Sequence, residues 1–313
     1  MADLLISTLT QGLIYALISF GVYITYSILD FPDLGVDGTF PLGAAVTAIL
    51  LVKGVNPYLT LPISLAVGAL AGFVTGFIHV RLGVRNLLAG IITMTALFSI
   101  NLVIVNGSNL TVERAVDTIF TAAPTVAVLG GMSLLWRKLV VSLVLVIVVK
   151  LVLDTYFKTK SGLLLRAVGD NATLVTSLAK DKGSVKIQGL VLSNALVALA
   201  GCIVCHEQRS FSATMGTGQL VYGLAAVIIG ISLMNFYTGT GMARGLRGTR
   251  PLRWLGSPQG TTAVIVGSFL YKACIQAALS LGLPANMMKL ITAVLFLLVL
   301  VVSGQKGEEI IHA

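Results

Sequence analysis

The chain has 313 residues, of which 56% are hydrophobic and 11% charged, with a net charge of +9 and a mean hydropathy of +0.97. A soluble globular domain carries about 25% charged residues, so the deficit excludes a soluble enzyme on a single anchor and leaves most of the surface facing lipid. The positive charge does not point to nucleic acid: the basic residues fall between apolar segments, where the positive-inside bias puts them, and no aromatic-plus-basic surface accompanies them.

A bilayer core takes about 20 apolar residues per helix. On that scale, spans fall near 4–28, 39–53, 58–80, 86–106, 138–155, 187–205, 217–235, 261–282 and 286–303, nine in a range of eight to ten. The expected fold is an all-α polytopic membrane protein, one transmembrane domain over 1–313. The first apolar run is too long for a signal peptide and lacks a basic leader, so it reads as a span.

Between the first two spans lies Asp30-Phe-Pro-Asp33-Leu-Gly35-Val-Asp37-Gly38-Thr-Phe-Pro41, with three acids, two prolines and two glycines. Acids within a membrane are expensive and mark function. One reading is a broken helix bordering a transport path, since non-helical backbone at membrane depth survives only under protein or water. The other is a solvated turn, with Asp37 capping the helix that follows. On the first reading Asp37, Thr39 and Phe40 border the path. Ser193 and Asn194 of the sixth span are further candidates, and a buried Asn wants either a neighbouring helix or a polar solute.

Residues 155–187 form a polar island carrying six of the 21 Lys and Arg residues, flanked by spans. Such a loop faces the cytoplasm, and its helical pattern suits a handle for a soluble partner. Counting spans from it places Arg81, Arg85 and the arginines at 244, 247, 250 and 253 on the same side, with the N-terminus outside. Four spans precede the fifth and four follow it in inverted order. Gly12-Leu-Ile and Gly189-Leu-Val each open an apolar helix, and each helix leads to a Gly-containing break, at 31–38 and 211–218. Inverted repeats with broken helices are a recurring transporter plan.

Other chemistry is missing. There is no phosphate loop, no H-E-x-x-H metal motif and no G-x-S-x-G nucleophile, so no catalytic residue, metal or cofactor is expected. Cys202-Ile-Val-Cys205-His206 matches the haem-attachment pattern, but it closes an apolar helix and reads as packing. Energy for uphill transport must come from an ion gradient or another protein.

Several segments resemble one family. Gly162-Leu-Leu-Leu165-Arg166-Ala167-Val-Gly169-Asp170-Asn171 is similar to the cytoplasmic coupling segment of ATP-binding-cassette importer permeases of the branched-chain amino acid and ribose type. Asp33-Leu-Gly-Val-Asp37-Gly38-Thr-Phe-Pro-Leu-Gly43 looks like that family's short second helix, and Gly218-Gln-Leu-Val-Tyr through Gly230 and Met288-Lys289-Leu-Ile-Thr-Ala also fit. The resemblance extends in particular to a subgroup paired with periplasmic or lipoprotein binding proteins, some proposed to deliver tryptophan or tyrosine. It implies a multi-pass permease of the cell membrane, two copies forming the pore as a homodimer, with a separate ATPase docked inside and a substrate-binding protein outside. The coupling residues would be Leu164, Leu165, Arg166, Ala167, Gly169, Asp170 and Asn171, with Leu164 to Val168 inserted in the ATPase. The basic stretch 236–260 looks like an insertion relative to the family pattern: a second docking surface, an anionic-lipid contact, or a neutral addition. The alternative function is an ion-coupled secondary transporter, which would need acids at membrane depth beyond the Asp30–Asp37 group.

Overall fold

A computed structural model of the chain describes residues 2–170, 175, 181–239, 260–280 and 287–311. Among these the helices are α1 (Ala2–Val22), running on into a π-helical turn (Tyr23–Ile28), α2 (Val36–Val52), α3 (Pro57–Val80), α4 (Asn86–Val105), α5 (Ala123–Leu129), α6 (Leu134–Tyr156) and α7 (Lys160–Asp170). They continue with α8 (Lys182–Gln208), α9 (Gln219–Gly239), α10 (Gly260–Ser280) and α11 (Met288–Ile311). Two three-residue strands, β1 (Asn109–Thr111) and β2 (Ser210–Ser212), pair antiparallel with Leu110 opposite Phe211.

Among the described residues six helices are long and apolar enough to cross a membrane: Asp3–Ile28, Pro57–Val80, Asn86–Val105, Leu134–Tyr156, Lys182–Gln208 and Gly260–Ser280. Val36–Val52, Gln219–Met234 and Leu290–Val301 are shorter apolar helices. The protein is thus an all-α membrane protein, with six full-length spans among the described residues where the sequence suggests nine. The shortfall at α2 has a local cause. After the π-helical turn the amide of Leu29 donates back to the Ile24 carbonyl at 3.1 Å, and Asp30 turns left-handed at φ 50°. Residues 29–35 are thereby lost to the helix. A π-turn of this kind widens the coil and ends regular hydrogen bonding.

The bundle is built around α8, 78% of whose most apolar window is buried, against 22% for α6. Helix α3 turns a stripe of small residues at four-residue spacing toward it: Thr60, Ser64, Gly68, Gly72 and Gly76, with Thr60, Ser64, Gly68, Gly72 and Gly76 all buried. A Cβ on Gly72 would collide with the Leu190 carbonyl, and one on Gly43 of α2 with that of Ala198. Backbone-to-backbone approach is how membrane helices gain packing energy where lipid competes for apolar side chains. The opposite face of α3, with Leu59, Leu70, Phe73 and Phe77, is exposed. That pattern of small residues inside and large apolar residues outside suits lipid rather than water.

At the end of the bundle away from α7, the strands form a small cap. Arg209 turns left-handed at φ 55° at the close of α8. Its guanidinium donates to the carbonyls of Glu113 at 2.9 Å and Val116 at 2.7 Å. Lys138 of α6 pairs with Glu207 at 3.1 Å. The sequence gives little sign of these strands or of α5, because strands of three residues carry no period to read.

Candidate functional site

The three acids of the first break have three different environments. Asp30 is exposed, Asp33 is fully buried, and Asp37 is half-buried. Asp33 accepts a hydrogen bond from the Gly35 amide at 2.8 Å and another from Asn194 Nδ2 at 2.8 Å. Asn194 also donates to the Leu190 carbonyl at 3.0 Å, and its Oδ1 accepts from Thr39 Oγ1 at 2.7 Å. Asn194 lies twelve residues into α8, about 18 Å along its axis at 1.5 Å per residue. A carboxylate at that depth is tolerable only with its hydrogen bonds met. Gly90 of α4 makes room for the break, since a Cβ there would stand 2.8 Å from the Leu34 nitrogen.

Asp37 is not the cap of its own helix. It sits in the first turn of α2 and accepts from the amides of Gly218 at 3.0 Å and Leu220 at 2.8 Å, which open α9. The carboxylate thus closes the N-terminus of a helix whose capped amides lie 181 and 183 residues along the chain, where unpaired amides and the helix dipole favour negative charge. Gly216 packs against Asp37 and Pro41. The breaks at 31–38 and 211–218 therefore touch at Asp37.

Thr39, Phe40, Ser193 and Asn194, expected along a path, are all fully buried within the chain. Thr39 and Asn194 belong to the Asp33 cluster, whereas Ser193 donates to the Gly21 carbonyl of α1 at 2.8 Å. The Phe40 ring lies 6.3 Å from that of Tyr15. Of the five, only Asp37 retains access. Thr39 and Asn194 join α2 to α8, the neighbouring-helix alternative for that asparagine, while Ser193 and Phe40 meet α1.

Helix α7 lies beside the end of the π-helical turn. Gly162, Leu165 and Val168 form its buried face, at three-residue spacing, while Leu163, Arg166 and Asp170 are exposed. Leu165 packs against Gly189 of α8, and Gly169 against the Ile28 carbonyl. Leu165 and Val168 therefore anchor the helix to the bundle. Leu163, absent from the expected set, lies on the outward face, with Leu164, Ala167 and Gly169 at the flanks. The Arg166 guanidinium sits 5.1 Å from the Phe157 ring centroid. Asn171 and most of the basic stretch 236–260 lie outside the described residues.

Cys202, Cys205 and His206 are buried with free thiols, and His206 Nε2 lies 2.8 Å from Thr60 Oγ1. They serve helix packing. Two further residues escaped the sequence reading although their signal was plain: Lys150 and Lys272 each interrupt an apolar run. Lys150 is ion-paired with Asp154, one turn on.

The family described as branched-chain amino acid transport system / permease component matches residues 4–300. The tyrosine transport system permease protein of Clostridioides difficile is 38% identical over 293 residues, covering 94% of this chain and 89% of its own. The ribose import permease protein RbsC of Haemophilus influenzae is 27% identical, covering 74% and 70%. The probable branched-chain amino acid transport permease protein LivH of Methanocaldococcus jannaschii is 28% identical, covering 68% and 69%. No solved structure matches.

Proposed function

The chain belongs to the family of branched-chain amino acid transport permease components, and from that premise we propose how its parts divide the work. It is a multi-pass permease of the cell membrane and a subunit of an ATP-binding-cassette importer, working with an ATPase and a substrate-binding protein. We infer that two copies form the pore, as the family resemblance implies. Likewise, α2, α9 and α11 complete nine crossings in two inverted halves. Contact between the two breaks at Asp37 supports the inverted plan, because it is at the junction of such halves that transporters keep their paths. Asp37 borders the path on this reading, and the Asp33–Asn194–Thr39 cluster keeps the break in shape behind it.

The observation that carries the function is α7. It has its own anchoring face on the permease and leaves Leu163, Arg166 and Asp170 uncovered. An amphipathic helix held outside the bundle, on a segment rich in lysine and arginine, is a lever for a soluble partner on the cytoplasmic side. A self-powered transporter has no need of it. The ion-coupled alternative is further weakened at Asp33, whose two oxygens are occupied by Gly35 and Asn194. An amino acid cargo is supported by the similarity to the C. difficile tyrosine permease.

The test is copurification of tagged permease with its ATPase. Arg166→Glu and Leu163→Asp should each reduce the recovered ATPase by about tenfold or more, corresponding to roughly 1.4 kcal/mol. Asn109→Ala, in β1 at the opposite end of the bundle, should not. Undiminished recovery in both α7 variants would refute the docking role.

A further inference from the structure

A second site lies in the half of the bundle remote from α7. A cavity of about 420 Å³ is enclosed by α1, α9, α10 and α11, and Tyr15, Gly218, Gln219, Tyr222, Lys272 and Thr292 are among the residues that line it. This volume is within the range of small-molecule sites. Its floor is the same opening turn of α9 that Asp37 caps, so it adjoins the break. Gly218 and Thr217 are exposed and leave it open.

Three observations describe what would fill it. First, Lys272 stands twelve residues into α10, about 18 Å from its start. An ammonium at such depth is costly and marks a pathway or ligand contact. Among the described residues no carboxylate lies within ion-pair distance of it: Glu207, whose charge reaches it, is paired with Lys138, and the other ion pair is Lys150–Asp154. Lys272 instead lies over the Tyr15 ring, 4.5 Å from its centroid. Second, the buried Oε1 of Gln219 has no hydrogen-bond partner among the described residues, while the Nε2 of the same amide donates to the Met215 carbonyl at 2.9 Å. An orphaned buried acceptor calls for a donor. Third, the Tyr15 and Tyr222 rings lie 4.9 Å apart, and Tyr222 and Tyr271 5.0 Å apart. The Tyr222 hydroxyl is committed to the Ser268 carbonyl at 2.9 Å, so an aromatic wall stands beside the polar pair.

We propose that this cavity is a solute-contact site on the transport path, selecting small molecules that carry a carboxylate, an ammonium and a flat apolar body, namely free aromatic amino acids. Lys272 holds the carboxylate, Gln219 Oε1 accepts from the ammonium, and the tyrosine faces take the side chain. The proposal rests on the permease reading above and adds a specificity element within the membrane to whatever choice the external binding protein makes.

The anion held by Lys272 could be supplied by a solute carboxylate or by a lipid phosphate, and the test separates them. The permease, with its ATPase and binding protein, is reconstituted into phosphatidylcholine vesicles with and without phosphatidylglycerol. Uptake of tritiated L-tyrosine and of a mixture of labelled L-amino acids is then measured. Lys272→Gln should lower uptake about tenfold or more in both lipids, as expected for loss of a charge-assisted contact, with ATPase copurification intact. Lys272→Arg should retain most uptake. Gln219→Glu places a carboxylate in the same cavity as Lys272 and should block the site from within, which keeps the test alive if Lys272→Gln does not assemble. Wild-type uptake with undiminished uptake in Lys272→Gln and Gln219→Glu would overturn the site. So would a loss seen only with phosphatidylglycerol, which would make Lys272 a lipid contact. A wild-type complex that transports none of the labelled amino acids would instead refute the cargo reading, and this site would fall with it.

Discussion

Asn194 joins two elements that lie far apart in the chain: the Asp33 turn and the first turn of α2 on one side, and its own helix α8 on the other. It donates to Asp33 and accepts from Thr39 in a fully buried setting. Asn194→Leu strips Asp33 of its long-range donor, and a buried acceptor left unpaired costs about 1–3 kcal/mol, more if charged. The variant should therefore lose about 3 kcal/mol in denaturant unfolding from mixed micelles. The double variant Asp33→Leu/Asn194→Leu removes donor and acceptor together and should cost at least about 1 kcal/mol less than the sum of the single changes. Strict additivity would mean that the two side chains do not act as a pair. The residue types were legible in the sequence, since Asp and Asn inside apolar runs stand out. Their partners were not, because 161 residues separate Asp33 from Asn194.

At the scale of the element, α7 is held by close approach rather than by area. A Cβ on Gly169 would run into the Ile28 carbonyl oxygen, which is backbone and cannot swing aside. Gly169→Val should push α7 off the π-helical turn and lower both ATPase copurification and uptake, while the membrane bundle still folds and solubilises as a single species. Gly131→Ala, at a position with nothing within 4 Å, is the control and should change neither. If Gly169→Val couples normally, the seat of α7 is not the contact that transmits force. The helix itself was visible in the sequence between the spans. Its working face was not: a continuous Leu163-Leu164-Leu165 run does not say which leucine turns inward, and only docking against Leu29 and Gly189 resolves it.

For the whole molecule, the two ends of the bundle should face opposite compartments. Lysines and arginines gather around α7, whereas β1, β2 and the Arg209 contacts cap the other end. In a variant with Cys202, Cys205 and Cys274 replaced by alanine, Asn109→Cys should react with an impermeant maleimide added to intact cells, and Lys160→Cys only after permeabilisation. Labelling of Lys160→Cys in intact cells would invert the orientation and remove the docking site of a cytoplasmic ATPase.

Hydropathy and charge are summed residue by residue against the bilayer, so they can be read without knowing what lies next to what. For that reason the sequence by itself determined the membrane class, the placement of the apolar helices to within a few residues, and the family. The tertiary structure alone decided that Asp37 caps α9 rather than α2, that Thr39, Phe40 and Ser193 are buried among the helices of the chain, and that Lys272, Gln219 and Tyr15 share one cavity. Each of those facts depends on helices far apart in the chain coming into contact, and a buried polar group takes its role from the partner it meets there.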